Sequence, residues 1–250
     1  MYALAAILIL GGAGWLLSLR RRHVGIVDSM WSLMFLAAAF VYHATADPPT
    51  PRSAMVTIMV AAWALRLSSY IAWRNHGEPE DYRYRTIRAN NEPGFQWKSL
   101  FIVFWLQGVL AWFISMPLLA AIHGANPLSW LDAAGVALWA VGMTFEAGGD
   151  YQLSRFRAAP ENAGRVLDRG LWRYTRHPNY FGNFCIWWGF FLTAAAAGGW
   201  WTVLSPLVMT LLLLKVSGVA LLEKTITDRR PAYAEYIRRT NAFFPGPPRD

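Results

Sequence analysis

The chain has 250 residues, of which 55% are hydrophobic and 15% are charged, and its formal net charge is +8. A typical soluble domain carries about 25% charged residues, so this composition excludes an ordinary soluble enzyme and indicates an integral membrane protein. The single cysteine, Cys185, excludes an internal disulfide and a multi-cysteine metal site, and we expect no bound metal because no HExxH or paired CxxC motif occurs.

Seven apolar stretches are long enough to cross a bilayer, which takes about 20 residues of helix. In chain order they cover about 2–19, 25–43, 54–73, 98–122, 130–149, 180–199 and 201–222. The first stretch lacks a basic start and a cleavage site, so we expect a retained helix. Pro117 and Pro206 should kink the fourth and seventh helices. The pattern predicts an all-α, polytopic integral membrane protein with seven transmembrane helices.

Positive charge is distributed unevenly over the connections between these helices. Basic clusters follow the first, third, fifth and seventh helices, whereas the alternate loops contain only Arg52. Because cytoplasmic loops are enriched in lysine and arginine, the N-terminus should face out and the C-terminus should be cytoplasmic. The net charge follows this topology rule, so we expect no nucleic-acid partner.

Two of the cytoplasmic connections, residues 74–98 and 150–179, are long and chemically mixed. One interpretation is that their arginines only orient the protein and their tyrosines mark the membrane interface. The other is that they bind a phosphate-bearing ligand, because the arginine fork matches phosphate oxygens. Pro178 suits the first turn of the sixth helix, whose free N–H groups would favour an anion. Around that point lie Arg173, Arg176, His177 and Asn179.

Several polar residues lie within the apolar stretches, where an ionisable group is costly and usually marks function. Asp28 lies in the second helix, and Arg66 lies in the third with Tyr70 one turn further on the same face. Arg66 has the alternative of extending its side chain to the interface. The remaining polar positions are Gln107, Glu146, Asp150, Lys215 and Glu223.

Residues 170–183, "GLWRYTRHPNYFGN", closely resemble the C-terminal signature of the membrane steroid 5α-reductase family. Related sterol reductases, enoyl reductases and isoprenylcysteine carboxyl methyltransferases share it. The upstream "DYQLSRFR" and the closing "LLEKTITDRRPAYAEYIRRTNAFFP" are also similar to that family, so the resemblance covers about 130 to 245. The N-terminal half is similar in layout, and "VDSMW" and "RNHGEPEDYRYR" resemble a bacterial branch of the superfamily.

This resemblance implies a protein of the bacterial inner membrane that binds NADPH on its cytoplasmic side. Residues 1–125 would form the substrate side and residues 126–250 the NADPH-binding region, and an apolar substrate would enter from the bilayer lipids. We expect a monomer. Two of the implied cofactor residues, Arg176 and His177, have the alternative of serving the fold. The cofactor-binding residues carried over from the family are Arg66, Asp150, Arg157, Arg165, Arg176, His177, Asn179, Tyr180, Asn183 and Glu223.

Two positions depart from the family pattern. The reductases place an acid where this chain has Asn183. They also use a glutamate on the second helix and a tyrosine on the third as a catalytic pair. Asp28 is the nearest match for the glutamate, but Trp63 stands at the tyrosine position, and an indole cannot act as an acid. Tyr70 or Tyr84 would have to take the role of the tyrosine.

The leading hypothesis is therefore NADPH-dependent reduction of the carbon–carbon double bond of a 3-oxo-Δ4 steroid or a similar apolar enone. A tyrosine oriented by Asp28 would hydrogen-bond the carbonyl oxygen as negative charge develops there. The alternative is an S-adenosylmethionine-dependent methyltransferase of the isoprenylcysteine type, which shares "RHPxY" and the closing glutamate with paired tyrosines. The abundance of arginine favours a dinucleotide with a 2′-phosphate. A third interpretation is a non-catalytic lipid-binding protein.

Overall fold

The structure, a computed structural model, describes residues 1–216 and 231–249. Helices dominate this described part of the chain, and it contains no β-strand. Four of the helices are long and apolar enough to cross a membrane: Tyr2–Arg21, Ile26–Thr45, Pro51–Arg74 and Phe95–Ile114. The all-α membrane class expected from the sequence agrees with these helices.

The chain divides into two compact units, residues 1–128 with 194–202 and residues 129–193 with 203–250. In the first unit, helix α2 (Ile26–Thr45) packs against both α1 (Tyr2–Arg21) and α3 (Pro51–Arg74). These three helices match the first three predicted spans, with ends displaced by a few residues.

Local signals in the sequence explain where helix α3 begins. The side chain of Thr50 accepts a hydrogen bond from the backbone N–H of Ser53 at 3.2 Å, and Pro51 occupies the first turn. A threonine cap satisfies one of the orphan donors at a helix start, and proline has no N–H to satisfy there.

Arg52, only 1% exposed, donates to the carbonyl oxygens of Asn126 and Pro127 at 2.7 and 2.8 Å. The single arginine of the alternate loops is therefore a structural cross-link.

The fourth predicted span is interrupted where a kink was expected. It consists of α5 (Phe95–Ser99), a π-helical stretch (Leu100–Trp105), α6 (Leu106–Ile114) and α7 (Met116–His123). Pro117 lies in the first turn of α7, directly after the break at Ser115, so the helix is interrupted where the kink was expected. The hydroxyl groups of Tyr42 and Ser115 are hydrogen-bonded at 2.9 Å at this break.

The connection between the third and fourth spans also contains helix, although the sequence analysis treated it as a loop. Helix α4 (Tyr82–Asn91) begins after Asp81, whose carboxylate accepts from the backbone N–H of Arg83 at 2.9 Å. An aspartate cap favours a helix start through this bond. The polar sequence hid the helix because it has no apolar stripe.

The second unit is built on two long helices, α8 (Trp130–Ala158) and α9 (Pro178–Ala196). Helix α8 continues past residue 149, so the beginning of the predicted 150–179 loop is helical; the capping box of Ser129 and Asp132 starts it. Helix α9 begins at Pro178, as predicted.

Glycine residues line the contact between α8 and α9. A side chain added at Gly142 would lie 2.6 Å from the carbonyl oxygen of Gly182, and one added at Gly135 would lie 2.8 Å from that of Gly189. Only glycine permits so close an approach of two helix backbones, an arrangement that is common in membrane proteins. This close contact brings the polar side chains of the two helices within hydrogen-bonding distance.

Helix α10 (Leu204–Leu211) has Pro206 in its first turn, so the expected interruption lies at the helix start and not inside the helix.

The closing residues of the described chain pack on the segment that precedes α9. Helix α11 (Tyr233–Arg239) is bound to the preceding segment by the Tyr236 hydroxyl, which donates to the carbonyl of Trp172. The hydroxyl of Thr175 donates to the carbonyl of Phe243 at 2.8 Å.

Candidate functional site

The first unit contains a cluster formed by Asp28, Arg83, Tyr84 and Gln107, which we call the first polar cluster. The hydroxyl of Tyr84 donates a hydrogen bond to Asp28, and the side chain of Gln107 hydrogen-bonds Tyr84. One nitrogen of the Arg83 guanidinium lies 3.2 Å from the other oxygen of Asp28. Helices α2, α4 and α6 thus contribute to one cluster, although Asp28 and Tyr84 are 56 residues apart.

Burial and neighbouring charges together shift the pKa values of Tyr84, Arg83 and the adjacent Asp81. Burial, followed by the nearby carboxylate of Asp28, raises the pKa of Tyr84 well above its ordinary value, so its hydroxyl keeps its proton. Burial would raise the pKa of Asp81, but hydrogen bonds from Arg83 outweigh it and lower that pKa. Burial likewise opposes the charge of Arg83, and the two carboxylates outweigh it and raise its pKa. The first polar cluster therefore contains a neutral tyrosine beside an ion pair.

A second contact fixes α4 to the beginning of α2. The carboxylate of Glu80 accepts from the backbone N–H of Val24 at 2.7 Å and forms a bidentate ion pair with Arg88. Arg88 in turn lies over the ring of Phe95, with its guanidinium carbon 4.6 Å from the ring centroid. These contacts hold Tyr84 in place without involving Asp28.

The second unit contains another cluster, formed by Glu146, Asp150, Asn179 and Asn183, which we call the second polar cluster. The side-chain amide of Asn183 donates to Glu146 at 2.9 Å, and that of Asn179 donates to Asp150 at 3.2 Å. Both acids are nearly inaccessible to solvent, at 3% and 4% exposed. Each acid and each amide is four residues from its companion on the same helix, so two acid–amide pairs lie one helical turn apart.

Comparison with known proteins gives one family match, and it covers both polar clusters. A family model described as "Protein of unknown function (DUF1295)" matches residues 14–240. The chain belongs to the DUF1295 family. The comparison with curated proteins and the comparison with solved structures found no match. Both polar clusters lie within the residues that the DUF1295 match covers.

In this DUF1295 protein, the predicted catalytic residues are only partly brought together. Tyr84 contacts Asp28, whereas the ring of Tyr70 lies 6.1 Å from that of Trp73 and beneath the guanidinium of Arg74. The geometry thus favours Tyr84 over Tyr70 as the partner of Asp28, and a catalytic role for each stays a prediction. Trp63, at the family's tyrosine position, is fully buried with its ring 5.7 Å from Phe35.

The residues predicted to bind the cofactor have different surroundings. Arg176 is 6% exposed, and its guanidinium donates to the carbonyls of Ile237 and Thr240 at the end of α11. A cation there complements the helix dipole, which supports the structural alternative for this residue. His177 is also buried, and its ring stacks on that of Tyr180 at 5.6 Å.

The other cofactor predictions are not decided by these contacts. Arg157 and Arg165 are exposed, and Arg66 is half-buried in α3. Glu223 lies outside the described residues. Cofactor contacts for all of these residues stay predictions.

Sequence reasoning missed Arg83 and Glu146 as site residues. Arg83 was treated as one of the arginines of the 74–98 connection, for topology or phosphate binding, because nothing local connects it with Asp28. Glu146 was noted as a polar residue within a span but was not paired with Asn183. The matching four-residue spacing of Glu146 with Asp150 and of Asn179 with Asn183 was the available signal.

Among the described residues, no group of three or more histidine, cysteine, aspartate or glutamate residues is placed to hold a metal ion.

Proposed function

We propose that this protein is an NADPH-dependent reductase of a carbon–carbon double bond conjugated to a carbonyl group, with a 3-oxo-Δ4 steroid or a similarly apolar enone as substrate. The observation that carries the proposal is the hydrogen bond between Tyr84 and Asp28. It pairs a neutral hydroxyl with a carboxyl group near the start of an apolar helix, and together these two groups would bind a substrate carbonyl and supply a proton. The resemblance of residues 170–183 to the steroid 5α-reductase family supports the same chemistry.

The chain's own residues would bind and polarise the substrate. Tyr84 would hydrogen-bond the carbonyl oxygen of the enone, and Asp28 and Gln107 would orient the Tyr84 hydroxyl. A donor aimed at developing oxyanion charge is worth about 3–4 kcal/mol in the transition state. NADPH, when bound, would supply the hydride for the β-carbon.

The second polar cluster fits the ribose or amide groups of a dinucleotide. Carboxylates accept hydrogen bonds, so the hydroxyl or amide donors of a cofactor would suit this cluster. The reductases have an acid at the position of Asn183. In this proposal Glu146, which contacts Asn183 from the facing helix, supplies the carboxylate instead. Exposed Arg157 and Arg165 would contact phosphate groups.

The proposal places the protein in the membrane through seven helices, with the N-terminus out and the cofactor residues on the cytoplasmic side. Four long apolar helices and the charge asymmetry of the loops support this arrangement. The four candidate spans lie between Tyr2 and Ile114, so the membrane location of the predicted fifth to seventh spans is part of the proposal.

A ligand-stabilisation experiment tests the proposed function. We expect NADPH to raise the melting temperature of the detergent-purified protein more than NADH does, because a ligand of the folded state stabilises it by mass action. Asn179→Ala should weaken the NADPH effect, and Gly12→Ala is the control, because nothing lies within 4 Å of the added carbon. Stabilisation by S-adenosylmethionine alone would instead identify a methyltransferase, and no response to any nucleotide would favour a non-catalytic lipid-binding protein.

A further inference from the structure

The hydrogen bonds of Tyr84 leave it no proton to donate to a ligand. A tyrosine hydroxyl has one proton. In this structure that proton is directed to Asp28, and the side chain of Gln107 forms a hydrogen bond with the same hydroxyl. A substrate carbonyl is an acceptor, so it requires a donor, and the Tyr84 hydroxyl cannot be that donor in this arrangement.

Two opposing influences act on Asp28: burial favours its protonated form, whereas the ion pair with Arg83 favours the carboxylate. Arg83 forms an ion pair with it at 3.2 Å, and Arg74 also acts on its charge, opposed by Asp81. His23, in the turn before α2, packs against Gly25 near the same helix start. Asp28 remains 21% exposed through its side chain, so a proton can reach it from water.

We propose that a carbonyl ligand binds the first polar cluster together with one proton, which Asp28 takes up. A protonated Asp28 donates to the Tyr84 oxygen, and the Tyr84 proton then turns to the ligand carbonyl. This inference rests on the proposed function for its class of ligand, and it adds that substrate binding and proton uptake are a single coupled step.

The same proton balances the proposed reduction. Saturating an enone adds one hydride and one proton, and NADPH accounts only for the hydride. As charge develops on the substrate oxygen, the Tyr84 O–H bond breaks and an O–H bond of the enol forms. Tyr84 regains its proton from Asp28, whose O–H bond breaks and leaves the carboxylate facing Arg83. The enol then tautomerises to the saturated ketone.

The test measures the affinity of the purified protein for a 3-oxo-Δ4 steroid over a range of pH. We expect affinity to be constant at acidic pH and to weaken by about tenfold per pH unit on the alkaline side, as linkage to one proton requires. Calorimetry in two buffers with different heats of ionisation should report uptake of about one proton. Ligand binding should also produce an infrared band of a protonated carboxyl group.

Variants separate this coupling from a structural effect. Asp28→Asn resembles the protonated acid because its amide can donate to Tyr84, so it should bind the steroid without the alkaline loss of affinity and without the infrared band. The same variant should lose turnover because it has no proton to give. Arg83→Gln should shift the loss of affinity to higher pH, since the ion pair that favours the carboxylate is gone.

Arg88→Gln is the matched control for Arg83→Gln. Arg88 lies on the same helix and pairs with Glu80, not with Asp28, so its replacement should leave the pH dependence unchanged. Steroid affinity that is independent of pH in the unmodified protein would overturn the coupling and leave the proposed function intact. If NADPH binds but no steroid binds at any pH, the substrate class of the proposed function fails, and the proton coupling falls with it.

Discussion

The proposed role of Tyr84 depends on its hydrogen bond to Asp28, which lies 56 positions away in the chain. The sequence offered Tyr70, in the third predicted helix, and Tyr84, in the connection after it, as alternative replacements for the family's tyrosine. Helical periodicity tells which neighbours share a face, but it says nothing of which distant side chain faces them. The choice between the two tyrosines therefore required the packing of α4 on α2.

The contribution of the hydrogen bond between Glu146 and Asn183 to stability can be measured. We expect Asn183→Ala to lower the free energy of unfolding by about 1–3 kcal/mol, because a buried carboxylate loses one of its donors. A double-mutant cycle with Glu146→Ala should give a clear coupling energy, since the two side chains are in direct contact. Denaturant unfolding in detergent is the measurement. Additive effects of the two single substitutions would contradict the observed hydrogen bond.

At the scale of helices, the contact between α8 and α9 depends on glycine residues seven positions apart. Gly135 and Gly142 on α8 approach Gly189 and Gly182 on α9. A seven-residue spacing returns to nearly the same face of a helix, so the glycines form one stripe on each. The second polar cluster depends on this stripe, because bulkier residues would separate the helices and lengthen its hydrogen bonds.

Adding a single methyl group tests the importance of this stripe. Gly142→Ala places a side-chain carbon 2.6 Å from the carbonyl oxygen of Gly182, so the helices must separate. We expect a loss of about 1–3 kcal/mol in unfolding free energy, which is typical of overpacking. Gly12→Ala in α1 is the matched control, because nothing lies within 4 Å of the added carbon. Equal melting temperatures for the two variants would show that the close approach is wrong.

The cap of α4 gives a prediction about pH. The pKa of Asp81 is lowered in the folded protein, so its contribution to stability is complete above its ordinary value of 3.8 and declines as the pH falls below that value. Hydrogen exchange should therefore show α4 losing protection as the pH falls below about 4. Asp81→Asn should remove that dependence.

The control for Asp81→Asn is Asp168→Asn, at an exposed acid in the second unit. It should leave the pH dependence of exchange in α4 unchanged. If Asp81→Asn also leaves it unchanged, the hydrogen bonds between Asp81 and Arg83 do not stabilise the helix.

At the scale of the whole molecule, membrane orientation is the property that most needs a direct measurement. The native Cys185 is buried, and Cys185→Ser supplies a background for labelling. In that background we expect Ala125→Cys to react with an impermeant maleimide in intact cells, because positive-inside orientation places it outside. Ala163→Cys should react only after permeabilisation. The opposite pattern of labelling would reverse the proposed topology.

Much of the architecture could be predicted from the sequence, because it follows from local chemistry. The length and apolar character of four helices, the break before Pro117 and the start of α9 at Pro178 are all confirmed. Helix α4 and the extension of α8 were missed, since their polar residues lack an apolar stripe. Their stability comes from caps and from contacts with other parts of the chain, which a scan for hydrophobic stretches does not detect.

The sequence by itself determined that the chain is helical, with helices apolar enough to cross a membrane and with acids and amides inside apolar stretches, because composition and periodicity are properties of short segments. The family match over residues 14–240 gave its membership of the DUF1295 family. Only the tertiary structure decided which of those polar residues meet. It paired Asp28 with Tyr84 and Arg83, paired Glu146 with Asn183, and bound Arg176 to the end of a helix. A hydrogen bond needs two groups within about 3 Å, and helix packing sets that distance between residues far apart in the chain.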